Sequence, residues 1–260
     1  MSDLISAAAL GVVEGITEFL PISSTGHLLV AEQWLGARSE LFNVAIQAGA
    51  ILAAVLVFWP RLRQLFLGLA QHENRDYLAK LGCAFALTAA GGFLAKRLGA
   101  TLPETVFPIA VAFIVGGVLI LAIEWAVAHR AIVTEVTWSV AFWVGLCQIL
   151  AAVFPGTSRS AATIFAAMLA GLTSRPAATE FAFLVGIPTM FAATGYEFLK
   201  IRAAPVHEDW GAFAVAFVVS AVVAFVAVKW LLRYIQTHRF TWFAWYRIVA
   251  GAALLTAFGR

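Results

Sequence analysis

Charged residues are scarce in this chain of 260 residues. Only 12% are Asp, Glu, Lys or Arg and 62% are hydrophobic, whereas a soluble domain carries about a quarter charged residues. This composition excludes an ordinary soluble fold. Several uninterrupted apolar runs approach the roughly 20 residues that a helix needs to cross a bilayer. The sequence therefore predicts an integral membrane protein.

Several other features are missing, and each absence excludes a class of protein. The short alternating segments of a transmembrane β-barrel are not seen, and the long apolar runs favour an α-helical bundle, because lipid offers no partner to backbone polar groups. The net charge of +3 is not gathered in a basic run, so nucleic-acid binding is not expected. Cys83 and Cys147 lack metal-ligand spacing and are predicted to be buried hydrophobes. No basic leader precedes the first apolar run, so no cleavable signal peptide is expected.

Six apolar runs predict six transmembrane helices, which with two shorter helix pairs define an all-α polytopic membrane protein. The runs cover residues 42–59, 77–95, 103–127, 178–199, 211–232 and 242–258. Tryptophans lie near several of their ends, as in interfacial belts. We expect Pro60 to close the first run and Pro188 to kink the fourth.

Two helix pairs are broken by proline, which has no N–H to donate and whose ring clashes with the preceding turn. The pairs are residues 1–20 with 27–35, broken at Pro21, and residues 138–154 with 160–172, broken at Pro155. Neither pair has the length of two full spans. Each therefore predicts a re-entrant hairpin, which is tolerated in a membrane where it is buried in protein or lines a cavity.

The two hairpins share one layout at a constant offset along the chain. In both, a helix leads to a proline and then to a cluster of hydroxyl side chains. The equivalent positions are Gly11 and Gly145, Glu14 and Gln148, Pro21 and Pro155, Ser24 and Ser158, and Thr25 and Arg159. We expect a single membrane-embedded domain over 1–260, built from inverted repeats of roughly 1–130 and 131–260. The positive-inside bias is modest and places the two hairpins at opposite faces.

The first break carries two carboxylates. Glu14 and Glu18 lie one helical turn apart and therefore on one face. Two such carboxylates repel each other unless one is protonated or a cation lies between them. Magnesium suits that position, because it binds through one or two carboxylates together with substrate phosphates. The alternative is that these glutamates have no functional role and are only hydrogen-bonded into the core.

A hydroxyl cluster and an imidazole follow the carboxylates. Ser24 and His27 are spaced i and i+3, so the imidazole can act as the base for a serine nucleophile. Attack on phosphorus by His27 itself is the alternative. Their small neighbours Ser23, Thr25 and Gly26 are candidate substrate-binding residues.

The second break, PGTSRS, adds a guanidinium. Arg159 presents five donors in a planar fork that suits phosphate oxygens, and an arginine at membrane depth indicates a functional site. Helix N-termini at both breaks also favour an anion, phosphate in particular. The alternative is that Arg159 only pairs with Glu14 or Glu18 to close the fold. The candidate substrate-binding residues of this break are Gly156, Thr157, Ser158, Arg159, Ser160 and Thr163.

Two segments are similar to the signatures of a known family. EGITEFLPISSTGH, residues 14–27, resembles the first signature of the bacterial undecaprenyl-diphosphate phosphatases of the bacitracin-resistance type, and PGTSRSAAT, residues 155–163, resembles the second. The segments FNVAIQAGAILA and EFAFLVGIP extend the resemblance along the chain. Ala161 departs from the pattern, because the family commonly has glycine there, and glycine permits close approach of the backbone to phosphate.

The resemblance implies an inner-membrane hydrolase that removes the terminal phosphate of the C55 lipid diphosphate and recycles the carrier for peptidoglycan synthesis. It also implies dependence on a divalent metal, Mg²⁺ or Ca²⁺, an active site open to the periplasm, and bacitracin resistance on overproduction. The motifs transfer family roles to Glu14, Glu18, Ser24, His27, Ser158, Arg159 and Thr163. They do not distinguish Ser24 from His27 as the nucleophile.

A secondary transporter or flippase of an anionic or lipid-phosphate substrate is the alternative function, since inverted repeats and broken helices are also typical of carriers. Ser24 with His27 beside two carboxylates favours hydrolysis, because anion transport needs no nucleophile. The expected partners are a polyprenyl diphosphate lipid and the bilayer. The protein partner that the sequence allows is a second copy of the chain, in a homodimer.

Overall fold

The computed structural model describes residues 3–99, 105–201 and 209–258, and in this part of the chain all regular secondary structure is α-helical. The helices are α1 (Asp3–Thr17), α2 (Ser24–Leu35), α3 (Glu40–Leu67), α4 (His72–Arg97), α5 (Val106–Val127), α6 (Trp138–Val153), α7 (Arg159–Leu169), α8 (Arg175–Ile201), α9 (Trp210–Tyr234) and α10 (Thr241–Phe258). The all-α prediction is therefore confirmed.

Five of the six predicted spans are helices long and apolar enough to cross a membrane. They are α3, α4, α5, α8 and α9, and the chain is a polytopic membrane protein. The sixth predicted span is α10, which has 18 residues, packs along α5 and carries Arg247 in its apolar sequence. That arginine lowers the hydropathy of the helix. Positions 103 and 104, where the third span was predicted to begin, lie outside the described residues.

Pro60 does not end the first span, and that prediction is wrong. Helix α3 continues through Pro60 to Leu67. Proline is a weaker stop in a transmembrane helix than in a soluble one, because neighbouring groups satisfy the backbone carbonyl that it leaves free. Pro188 likewise lies inside α8.

Both predicted breaks are confirmed, and they separate α1 from α2 and α6 from α7. Helix α1 ends at Thr17, and α2 begins at Ser24 rather than at the predicted position 27. Helix α6 ends at Val153, and α7 begins at Arg159. The short α7 lies deep in the bundle, since eight of its 11 residues are buried. The breaks thus lie inside the protein, where their polar groups can meet.

The two halves of the chain use equivalent helix contacts. Helix α1 packs on α9 as α6 packs on α4, and α3 packs on α9 as α8 packs on α4. A Cβ on Gly11 would lie 2.6 Å from Ala216 O, and a Cβ on the equivalent Gly145 would lie 2.7 Å from Ala84 O. Helices α1 and α6 therefore need glycine at these positions to approach α9 and α4 so closely. This recurrence agrees with a repeat, while the inverted orientation of the halves and the re-entrant path of the hairpins stay predictions.

Candidate active site

The two chain breaks meet at the carboxylate of Glu18. Its Oε1 accepts a hydrogen bond from Arg159 Nη2, and its Oε2 accepts one from Ser24 Oγ. Glu18 directly follows the last residue of α1, Ser24 is the first residue of α2, and Arg159 is the first residue of α7. An acid, a hydroxyl and a guanidinium from two distant segments therefore converge on one point.

These three side chains line a cavity of about 220 Å³. The side chain of Glu18 is only 3% exposed, whereas that of Arg159 is 26% exposed. The guanidinium is thus the member of the ion pair that a ligand can reach. Four predicted substrate-binding residues also line this cavity, namely Ser23, Thr25, Thr157 and Ser158.

Three predicted hydroxyls of the second break hold its shape. Ser160 Oγ donates to Leu20 O at 2.9 Å and thereby ties the second break to the first. Ser158 Oγ accepts from Ala161 N at 3.2 Å, which caps the start of α7. Thr163 Oγ1 donates to a carbonyl of its own helix at 2.8 Å. Ser160 and Thr163 also border the ion pair through a small void of about 20 Å³.

The two predicted glycines allow close packing around the breaks. Gly156 has φ +82, a conformation that favours glycine, and a Cβ there would lie 2.8 Å from Ile109 Cα. A Cβ on Gly26 would lie 2.6 Å from Phe113 Cε1. Glycine at these two positions therefore lets the start of α2 and the second break pack closely against α5.

His27 makes its hydrogen bonds away from Ser24. Its Nδ1 lies 2.6 Å from Ser23 O, and its Nε2 lies 2.6 Å from Tyr246 OH. Because a carbonyl oxygen only accepts, Nδ1 carries the proton, and Nε2 of the neutral ring accepts from the tyrosine hydroxyl. Ser24 gives its single proton to Glu18. The predicted contact between Ser24 and His27 is therefore wrong, and a carboxylate lies where we expected an imidazole base.

Glu14 is only 1% exposed, and its Oε2 has no hydrogen-bond partner among the described residues. It lines a second cavity of about 480 Å³, which shares Ser24, Thr25 and Gln47 with the first. Nowhere in the described ranges do three or more His, Cys, Asp or Glu side chains gather to hold a metal ion. A metal bound by Glu14 and Glu18 would therefore need further ligands, and this site stays a prediction.

Arg247 is a residue that our sequence reasoning missed. It is 1% exposed, and its Nη2 donates to Ala112 O at 2.8 Å and to Gly156 O at 3.2 Å. Its Nη1 donates to Pro21 O at 3.4 Å, and its guanidinium lies 5.3 Å from the ring centroid of Phe113. One arginine thus holds both chain breaks against α5.

Gln148 is the second residue that was missed. It is 2% exposed, and neither atom of its amide has a hydrogen-bond partner within the described part of the chain. It lines the 220 Å³ cavity beside Arg159. The sequence carried a signal for both missed residues, since Gln148 is the repeat equivalent of Glu14 and Arg247 is the lone charge of an apolar run.

Known proteins share this sequence along nearly its whole length. A sequence model of the family described as bacitracin resistance protein BacA matches residues 7–253. The chain is 62% identical to an undecaprenyl-diphosphatase of Rhizobium etli (strain CIAT 652) over 255 residues, which cover 97% of this chain and 96% of that protein. It is 60% identical to an undecaprenyl-diphosphatase of Stenotrophomonas maltophilia (strain R551-3) over 257 residues, or 98% of this chain and 97% of that protein. The chain therefore belongs to the bacitracin resistance protein BacA family.

Proposed function

We propose that this chain hydrolyses undecaprenyl diphosphate to undecaprenyl phosphate and inorganic phosphate. Its relatives from Rhizobium and Stenotrophomonas are named for that activity. The observation that carries the proposal is the contact of Glu18 with both Ser24 and Arg159 inside a bundle of membrane helices. A lipid substrate fits such a site, because its tail can lie in the bilayer while its charged head enters the polar cavity.

Arg159 binds the terminal phosphate in this mechanism. Without substrate its guanidinium pairs with Glu18, and its planar fork suits two phosphate oxygens. Glu18 then accepts the proton of Ser24 while Ser24 Oγ bonds to the terminal phosphorus. The bond from that phosphorus to the bridging oxygen breaks, and undecaprenyl phosphate leaves with the proton that Glu18 transfers to its oxygen. Water then attacks the phosphoserine while Glu18 takes one of its protons. The bond from phosphorus to Ser24 Oγ breaks, Glu18 returns the proton to that oxygen, and inorganic phosphate leaves.

Ser24 is favoured over His27 as the nucleophile because its hydroxyl already points at a carboxylate, whereas both ring nitrogens of His27 have partners. Rapid acid quenching of the reaction with labelled substrate separates the two. A phosphoserine survives acid and maps to Ser24, whereas a phosphohistidine is acid-labile. Acid-labile label on His27 would reverse the assignment.

A divalent cation, Mg²⁺ or Ca²⁺, would supply positive charge to the diphosphate when bound. Glu14 and Glu18 are the predicted ligands. The unpartnered Oε2 of Glu14 fits this role, since a buried carboxylate oxygen is costly without a partner.

We expect EDTA to lower phosphate release at least about tenfold, because loss of a metal that stabilises transition-state charge costs several kcal/mol. The assay is phosphate release by the purified full-length protein from a polyprenyl diphosphate in detergent. Excess Mg²⁺ or Ca²⁺ should restore the rate. An unchanged rate in EDTA would leave Glu14 and Glu18 with acid and base roles alone, and no release under any condition would contradict the phosphatase itself.

Tyr246→Phe is expected to lower the thermal midpoint in detergent by about 2–4 °C, because one neutral hydrogen bond contributes about 1 kcal/mol and a chain of this size shifts 2–4 °C per kcal/mol. The change removes the hydroxyl that holds His27 Nε2 and keeps the stacked ring, which lies 5.6 Å from the imidazole. Scanning fluorimetry in detergent measures the midpoint. Trp245→Phe, also exposed on α10, is the matched control and should behave as wild type.

The membrane location and the cellular role of this activity are also part of the proposal. The chain is a multi-pass protein of the bacterial inner membrane whose active site opens to the periplasm, and it recycles the lipid carrier for peptidoglycan synthesis. The family name supports bacitracin resistance as the cellular consequence, and overproduction should raise the bacitracin concentration that cells survive. A homodimer stays a prediction.

Flipping of the product lipid is the second candidate function. The equivalent helix contacts of the two halves support it, because such recurrence is typical of alternating-access carriers. Ser24→Ala protein in liposomes separates the functions. Continued transbilayer movement of labelled polyprenyl phosphate without hydrolysis would support a carrier, whereas movement no faster than in empty liposomes would exclude it.

A further inference from the structure

The void of about 20 Å³ beside the Glu18–Arg159 ion pair is large enough for one water, because a water site needs at least about 10–15 Å³. Phe19, Phe183 and Met190 give the void an apolar wall. A water in it therefore depends for its hydrogen bonds on the polar side chains that complete the lining.

Gln148 lies in the wall between this void and the 220 Å³ cavity of the active site. Among the described residues, three line both spaces, and they are Glu18, Gln148 and Arg159. The two charged members of this set form the ion pair. The glutamine is therefore a direct neighbour of the base and of the guanidinium that the proposed mechanism uses.

The amide of Gln148 has hydrogen-bonding capacity to spare at this wall. The residue is 2% exposed, and neither Oε1 nor Nε2 has a hydrogen-bond partner within the described ranges. The hydroxyls that share the void have already given their protons to carbonyl oxygens, Ser160 to Leu20 O at 2.9 Å and Thr163 to Arg159 O at 2.8 Å. Buried waters in proteins typically bind to polar groups that would otherwise be unsatisfied, and the Gln148 amide is such a group.

We propose that Gln148 holds, in this void, the water that hydrolyses the phosphoserine formed at Ser24. The inference rests on the proposed function, which supplies that intermediate. When Arg159 binds the phosphate, it releases Glu18 Oε1, which then accepts one proton of the water while Gln148 Oε1 accepts the other. The lone pairs of the water oxygen are left for phosphorus. As that oxygen bonds to phosphorus, Glu18 takes its proton, the bond from phosphorus to Ser24 Oγ breaks, and Glu18 passes the proton to the serine oxygen.

Gln148→Met should slow hydrolysis of the intermediate on the order of 10²-fold, because a misplaced reacting group costs about that factor. Methionine keeps the length of the side chain and removes both polar atoms of the amide. Formation of the intermediate should stay near the wild-type rate, since that step needs no water. Gln148 is thus a positioning residue for the second step alone.

The measurement follows both products through the first turnover of the full-length protein in detergent with excess polyprenyl diphosphate. In Gln148→Met, a burst of about one polyprenyl phosphate per chain should precede inorganic phosphate, as expected when a covalent intermediate accumulates. Gln236→Met, at an exposed glutamine after α9, is the matched control and should release both products as the wild type does.

A structural role of Gln148 would have a different signature. The thermal midpoint of Gln148→Met would fall, and both products would slow equally without a burst. That result, or a wild-type time course in Gln148→Met, would overturn the inference while the wild type still released phosphate. A wild-type protein that releases neither product would instead contradict the proposed function.

Discussion

Replacing Arg159 with alanine is expected to lower the rate of phosphate release about 10³-fold while the protein stays folded, because an arginine that stabilises a phosphoryl transition state contributes at least that factor. The guanidinium is the exposed member of its ion pair with Glu18. Arg159→Lys should recover little of the loss, since an ammonium group is a point charge and cannot hold two phosphate oxygens in a fork. The measurement is phosphate release at saturating lipid diphosphate.

The competing interpretation of Arg159 is purely structural, and the same variants distinguish it. If the arginine only closed the fold against Glu18, Arg159→Ala would lower the thermal midpoint in detergent along with the rate, and Arg159→Lys would restore both. We expect the midpoint to move by no more than a few degrees. Arg130→Ala, at an exposed position after α5, controls for loss of one positive charge. A fully active, folded Arg159→Ala protein would remove this residue from the site.

The positions of the chain breaks could be predicted because their cause is local. Pro21 and Pro155 each disrupt the helical turn that precedes them. A polar cluster directly follows each proline and ends the apolar run. Pro60 shows the limit of this reasoning. Its effect depends on what packs around α3 rather than on its own ring, and in the protein α3 runs through it to Leu67.

The partner of Ser24 could not be predicted, because it depends on how the chain turns between α1 and α2. Ser23 has φ +76 and gives its carbonyl to His27. Ser24 and His27 both lie in the regular helix α2, so their i, i+3 spacing holds. Their partners nevertheless come from elsewhere in the chain, because Glu18 after α1 accepts from Ser24 and Tyr246 of α10 contacts His27 Nε2.

Arg247→Met is expected to reduce the thermal midpoint in detergent by about 10 °C, because a buried cation lost from its partners costs about 3 kcal/mol and a chain of this size shifts 2–4 °C per kcal/mol. The variant removes the guanidinium that donates to the carbonyl oxygens of Pro21, Ala112 and Gly156. Since two of these belong to the breaks, the distance between Ser24 and Arg159 should become less fixed, and phosphate release should fall about 10²-fold, as displaced catalytic groups imply.

We expect the midpoint and the rate to fall together because Arg247 acts on both through the backbone. It donates to carbonyl oxygens of both breaks and contacts no reacting group. Arg247→Lys retains the charge and some of the hydrogen bonds to carbonyl oxygens. Its midpoint and rate should therefore lie between those of the Arg247→Met protein and those of the wild type. Arg233→Met, exposed in the last turn of α9, removes an arginine that contacts neither break and should change neither quantity. A wild-type midpoint in Arg247→Met, measured by scanning fluorimetry, would mean that the hydroxyl bond from Ser160 to Leu20 is enough to keep the two breaks together.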